Sequence, residues 1–164
     1  MKAFNSPHLN VAVISLLPSM FESLTVGVTG RAIKRNLMQL SLLDLRDFTN
    51  DKHKTVDDRP FGGGPGMVLK TEPIRAAFKQ ATQNLGDNAL KVYLSPQGKV
   101  VNQDMLNRFV ANPRPLIMLA GRYEGIDERI ITSDIDEEWS IGDLVISGGE
   151  LAAMTIIDAM CRLI

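Results

Sequence analysis

Cysteine and histidine are nearly missing from this chain of 164 residues, which has one of the former, Cys161, and two of the latter, His8 and His53. A lone cysteine excludes an internal disulfide and fits a reducing, cytoplasmic setting. The two histidines lie far apart in sequence and the cysteine sits on the apolar side of a helix, so no metal-ligand spacing and no Cys–His nucleophile pair stands out. No apolar run approaches the ~20 residues that span a bilayer. Residues 1–10 carry Lys2, Pro7 and His8 in place of an apolar signal core, so neither membrane insertion nor export is expected. Excess charge is lacking too: the net charge is -1, and composition gives no sign of a nucleic-acid partner. The dinucleotide fingerprint Gly-x-Gly-x-x-Gly is absent. Phe61-Gly62-Gly63-Gly64-Pro65-Gly66 lacks the Gly-Lys-Ser/Thr ending of a nucleoside-triphosphate loop. Spacing alone favours a flexible surface loop there over a lid that offers backbone amides to phosphate.

What is present is an ordinary globular composition, 45% hydrophobic and 23% charged, in a length that suits one domain. Residues 1–9 read as a loose leader and residues 10–164 as the domain. Val11-Ala12-Val13-Ile14 is a short buried strand that ends before Pro18. Residues 21–40 are mostly helical in pattern, with Arg31, Lys34 and Arg35 on the polar face, and residues 41–45 suit a further strand. Residues 46–54 are dense in charge and residues 55–66 form a turn-rich loop. Thr71 is placed to cap a helix whose apolar face is Ile74, Ala77, Phe78, Ala81 and Leu85. Lys91-Val92-Tyr93-Leu94 is a strand, and Asn102 caps a helix that carries Met105, Leu106, Phe109 and Val110 inward. Residues 115–119 are another strand, residues 127–132 a short helix, and Asp136-Glu137-Glu138 a solvated turn. Alternating helices and short apolar strands predict an α/β fold, a mainly parallel sheet with helices on both faces.

A last helix is expected from about Glu150 onward, with Leu151, Met154, Ile157, Cys161 and Ile164 on one stripe and Ala153, Ile156, Met160 and Leu163 on other sides. A helix apolar nearly all round is buried on several sides, and a subunit interface is a candidate for one of them. It reaches Leu163-Ile164 without glycine, cap or polar tail, as the interior of a longer helix does.

Three strands run into glycine-bearing loops: Ser95-Pro96-Gln97-Gly98, Gly121-Arg122-Tyr123-Glu124-Gly125, and the stretch from Ile141-Gly142-Asp143 to Gly148-Gly149. In a parallel sheet such strand ends share one edge, where ligands of open α/β folds bind. One glycine loop is usually a turn; three that converge point to a ligand site. Glu124, flanked by glycines, is the best-placed carboxylate for a ligand contact. Asp158 and Arg162, four apart on the last helix, suit an ordinary ion pair, and the alternative is an Arg162 side chain in a substrate cavity.

These segments together closely resemble the bacterial tRNA (guanine-N1)-methyltransferase family of the SPOUT superfamily. The resemblance is carried by Arg46-Asp47-Phe48-Thr49, residues 51–60 with the Gly62-to-Met67 loop, residues 93–98, residues 121–129, residues 137–143, Gly148-Gly149-Glu150-Leu151 and Ala153-Met154-Thr155. It extends from about Val11 to the last residue. Ala152 stands where the family usually has proline and Leu17 where phenylalanine is common; neither change removes a polar group.

The resemblance implies a deep trefoil knot, a topology that general connection rules exclude. It implies S-adenosylmethionine held by Tyr93, Leu94, Ser95 and Pro96, by Gly121, Tyr123 and Glu124, and by Ile141, Gly142, Asp143, Leu144, Val145, Ile146, Gly148 and Gly149. It implies a homodimer, a tRNA substrate methylated at N1 of guanosine 37, and Arg162 as the cation that stabilises O6. Glu124 joins Arg162 as a candidate catalytic residue. The family's catalytic aspartate and its helical tRNA-binding domain have no counterpart here, so cofactor binding with little turnover is the expectation for these residues alone. Magnesium stimulates the family, but no site for it is assignable in the sequence. Two other readings stand beside this one. A non-catalytic module that borrows the fold is disfavoured by Glu124, Arg162 and all three loops, and an enzyme for another RNA position is disfavoured by residues 51–67.

Overall fold

The computed structural model describes residues 8–164. Most of the stretch read as a leader, residues 1–7, lies outside the described residues, and Leu9 already opens the first strand. β1, Leu9–Ser15, is nearly all apolar and buried. A 3₁₀ helix, Pro18–Thr25, follows and begins at the proline. α1, Gly27–Lys34, and β2, Met38–Asp44, come next. The single long helix expected over residues 21–40 is therefore broken twice. Gly27 adopts φ +67, which ends one helical segment and starts another, and the strand opens three residues earlier than its own pattern suggested.

A two-stranded antiparallel ribbon, β3 (Asp57–Asp58) with β4 (Val68–Leu69), closes the base of the turn-rich loop. α2, Thr71–Leu85, buries Ile74, Ala77, Phe78 and Ala81 as the periodicity predicts. Thr71 is its first helical residue, not its cap; Lys70 holds the cap position, with no side-chain hydrogen bond. β5, Leu90–Val100, precedes α3, Gln103–Ala111, where Asn102 Oδ1 accepts the Met105 N–H at 3.0 Å as expected of a cap. β6, Leu116–Ala120, is wholly buried, and α4, Glu128–Asp134, starts from an Asp127 cap.

β7, Glu137–Ser140, replaces the expected solvated turn. Its acidic start stays half in solvent, while Trp139 and Ser140 are buried, and the Trp139 indole N–H donates to Glu137 Oε2 at 2.7 Å. α5, Gly149–Cys161, is the last element. Its buried face is Ala152, Ala153, Ile156, Ile157, Met160 and Cys161, whereas Leu151, placed on the apolar stripe by the sequence, is 44% exposed.

The sheet order is β2-β1-β6-β5-β7, and every pairing in it is parallel. Successive residues point to opposite faces. Val11, Val13, Val92, Met118 and Trp139 pack with α1, α3 and α5, while Ala12, Ile14, Tyr93, Ile117 and Leu119 pack with α2 and α4. Both faces are therefore covered, which accounts for strands that are apolar throughout. Among the described residues no helix is long and apolar enough to cross a membrane.

Candidate functional site

β6, β5 and β7 are neighbours in the sheet, so their C-terminal ends lie side by side. The loops that leave them must meet. The first is expelled from its own ladder: Trp139 pairs with Leu94 and again with Lys99, and residues 95–98 bulge out between the two pairings. Gly98 is required there because a Cβ would lie 2.5 Å from the Glu138 carbonyl carbon. The second loop turns tightly, with the Gly125 N–H donating to Arg122 O at 3.1 Å and Tyr123 held at φ +59. The third begins where Ser140 Oγ both accepts the Gly142 N–H and donates to Gly142 O, each at 3.1 Å. It ends where the Gly149 N–H donates to Gly121 O at 2.9 Å.

These loops enclose an open cavity of about 260 Å³. Tyr93, Leu94, Ser95 and Pro96 line it from the first loop and Gly121, Tyr123 and Glu124 from the second. The third loop adds Ile141, Gly142, Leu144, Val145, Ile146, Gly148 and Gly149. Asp143 is the one predicted member that lies in the loop yet off the wall, exposed to solvent. The walls are tight where backbone meets ring: a Cβ on Gly121 would stand 2.9 Å from Tyr93 Cε2. Burial pushes the Tyr93 phenol above its ordinary range, helped by the Glu138 carboxylate, so it stays a neutral donor.

Glu124 is the carboxylate on the wall, exposed at its rim. Its N–H donates to Met67 O at 3.0 Å, and the Leu69 N–H donates to Gly125 O at the same distance. Its side chain abuts Gly66, where a Cβ would come within 2.4 Å of Glu124 Cγ. The glycine-rich segment Phe61-Gly62-Gly63-Gly64-Pro65-Gly66 is thus exposed but stands on a fixed base beside the cavity.

Arg162 is elsewhere. It follows α5 at the end opposite Gly149, about 20 Å along the axis at helical rise, and it does not line the cavity. Among the described residues it forms no ion pair with Asp158 either; its backbone N–H donates to Asp158 O at 3.2 Å. No group of three or more His, Cys, Asp or Glu side chains among the described residues is placed to hold a metal ion.

The model of the family described as tRNA (Guanine-1)-methyltransferase TrmD matches residues 9–164. The chain belongs to the tRNA (guanine-N1)-methyltransferase family. The tRNA (guanine-N(1)-)-methyltransferase of Tolumonas auensis is 57% identical over 155 residues, covering 94% of this chain and 62% of that protein. The relative of the same name from Mannheimia succiniciproducens is 56% identical and covered to 60%. The crystal structure of tRNA (m1G37) methyltransferase from Aquifex aeolicus superposes with a TM-score of 0.86 at 36% identity, over 97% of this chain and 71% of that one. The chain thus spans about three fifths of the length of these two relatives.

Within this family frame, sequence reasoning missed several wall residues: Arg122, Gly125, Trp139, Ser140, Ser147 and Ala152. Gly125 and Ser147 lie inside the glycine loops and were within reach. Trp139 was hidden by the acidic run before it, which disguised β7, and Arg122 lies inside the second glycine loop, like Gly125.

Proposed function

We propose that the cavity binds S-adenosylmethionine and that the protein methylates N1 of guanosine 37 in tRNA, as a cytoplasmic homodimer. The observation that carries this is the convergence of the three loops on one cavity, with all but one of the fifteen residues assigned to the cofactor on its wall. The donor set fits such a ligand. Backbone at Gly121, Gly148 and Gly149 comes close to the space, and Tyr93, Leu94 and Ile141 supply apolar surface for a base and for the carbons around a sulfonium. The volume, about 260 Å³, lies just below the roughly 300–1,000 Å³ of small-molecule sites, and the open side leaves the reactive end accessible. A knotted threading of the last segment, as in other SPOUT enzymes, belongs to the same reading.

The cofactor supplies an electrophilic methyl group. The chain's own residues hold and orient it: loops anchored by the Gly149–Gly121 hydrogen bond keep the geometry rigid, as an in-line transfer requires. Guanine N1 carries a proton at neutral pH, which must pass to a base or to water as the N1–methyl bond forms and the sulfonium carbon–sulfur bond breaks, and a cation at O6 would stabilise the charge that develops. Glu124 stands at the cavity rim for contact with the base or the cofactor. Arg162, outside its own cavity, would serve that of a second copy in the proposed homodimer. The exposed apolar rim, Leu144, Val145, Ile146 and Leu151, supports a partner that covers this edge. The glycine-rich loop beside Glu124 would then close over the tRNA. Among the described residues no cluster of ligands stands out to which a bound magnesium ion can be assigned.

Calorimetric titration with S-adenosylmethionine and with its demethylated product tests the cofactor reading; heat with competition between the two is expected. No heat at high protein concentration refutes it. Methyl transfer to tRNA bearing guanosine but not adenosine at position 37 tests the substrate, at the low turnover expected of these residues alone.

A further inference from the structure

Beneath the cavity lies a buried carboxylate that the cofactor reading leaves without a role. Glu150, in the first turn of α5, is 0% exposed. Its Oε1 accepts from Ser15 Oγ at 2.8 Å and from Arg122 Nε at 3.2 Å, and its Oε2 accepts from Arg122 Nε at 3.1 Å. Ser15 Oγ also accepts the Leu17 N–H at 2.9 Å, and Arg122 NH2 reaches Met20 Sδ at 3.5 Å. One carboxylate therefore ties the end of β1 to the second and third cavity loops.

The seam between those two loops has two rungs. Gly149 N–H to Gly121 O is the first, and the next residue on each side supplies the second, the Arg122–Glu150 ion pair. Gly148 bears on this. Its φ of 172 is extended backbone that any residue adopts, yet a Cβ there would lie 2.5 Å from Glu150 Oε2 and 2.6 Å from Arg122 Nε. The glycine is set by the space the pair occupies. A buried ion pair is weak evidence for stability, because apolar side chains of like volume serve as well. Its value here is directional, since the Arg122 Nε–H is shared between both oxygens of Glu150 and is held along the axis of the carboxylate.

We propose that Glu150 is a positioning residue, which through Arg122 sets the gap between the second and third loops and so the affinity for the cofactor. This rests on the cavity being the S-adenosylmethionine site. Glu150 itself does not line the cavity.

Trp139, the only tryptophan, is on the cavity wall, so its emission can follow a titration with S-adenosylmethionine. Glu150→Gln keeps the oxygen that accepts from Ser15 and Arg122 but removes the charge and sets an amide NH2 against the Arg122 N–H where Oε2 accepted it. R122M with E150M removes both charges at similar volume and keeps the protein folded if the single variant is not. Ile74→Val, in α2 and off the cavity wall, is the control for general loss of stability. The expected result is at least tenfold weaker binding in E150Q and in the double variant, with I74V unchanged. Hydrogen exchange at the Gly149 amide needs no ligand, and it should quicken at least tenfold in E150Q or the double variant relative to I74V. Affinity within threefold of the unmodified chain in the double variant overturns the proposal, as does unchanged Gly149 exchange. If the unmodified chain binds no S-adenosylmethionine, the cofactor reading fails and the exchange result alone decides the positioning role.

Discussion

Replacing Gly149 by alanine adds one methyl group where the third loop meets the second. The new Cβ would stand 2.8 Å from Ala120 Cα and 3.0 Å from the Gly121 nitrogen. Carbon atoms prefer roughly 3.5–4.0 Å, and both neighbours are backbone of a buried strand end that cannot rotate away. Overpacking of this kind costs about 1–3 kcal/mol. The Gly149 N–H to Gly121 O bond would lengthen, at a further cost of about 0.5–1.5 kcal/mol. Alanine recovers up to about 1 kcal/mol over glycine within a helix. The balance is a net loss of about 1–3 kcal/mol, which for a domain of this size lowers the melting temperature by roughly 2–12 °C. Scanning calorimetry or fluorimetry reads this directly, and the same variant should lose cofactor binding because the loops are forced apart. Gly142→Ala is the contrast: that glycine has φ +130 but open space around it, so any loss there comes from backbone strain alone. A Gly149→Ala protein that melts at or above the unmodified temperature, with full binding, would refute the close approach on which the cavity geometry depends.

Asn102→Ala removes the cap of α3 and should cost about 1 kcal/mol by denaturant titration. Thr82→Val should raise stability slightly, since Thr82 Oγ1 is buried without a hydrogen-bond partner and an apolar replacement removes an unsatisfied group. Cys161 is buried, with burial first and Asp158 second pushing its thiol up to about 11, so thiol reagents at pH 8 should modify it only as the protein unfolds. Because that value lies above the ordinary one, the associated stability is complete below pH 9 and falls away as pH rises toward 11. Asp127 is held down to about 2, by its hydrogen bonds from Arg129 above all. Its contribution is present above pH 3.8 and disappears as pH falls toward 2. Arg129 is largely in solvent, so acid titration of Asp127→Asn against the unmodified chain should show only a small difference, confined to the range from pH 3.8 down to about 2.

Much of the scaffold was legible because it rests on local pattern. β1 and β6 announce themselves as short apolar runs, α2 by its three-and-four spacing, and α3 by its Asn102 cap. These signals need only neighbouring residues. Boundaries failed where a backbone conformation interrupts a pattern that still looks continuous, as at Gly27, and at Thr71, which entered the helix it was read to cap. β7 failed because Glu137 and Glu138 are strand residues at a sheet edge, where one side meets water and acidic character says little about conformation.

By itself the sequence determined the alternating α/β plan, the three glycine loops and, through motifs carried from about Val11 onward, membership of the family. Its periodicities and turn residues act over a few positions, and that range suffices for elements and loops. Only the tertiary structure decided that the loops share one cavity, because the order β6-β5-β7 brings together residues far apart in the chain. It alone put Trp139 on the cavity wall and Arg162 off it. It also joined Ser15 and Arg122 around the buried carboxylate of Glu150, which no local pattern could announce, because that charge is tolerated only where two distant segments supply its partners.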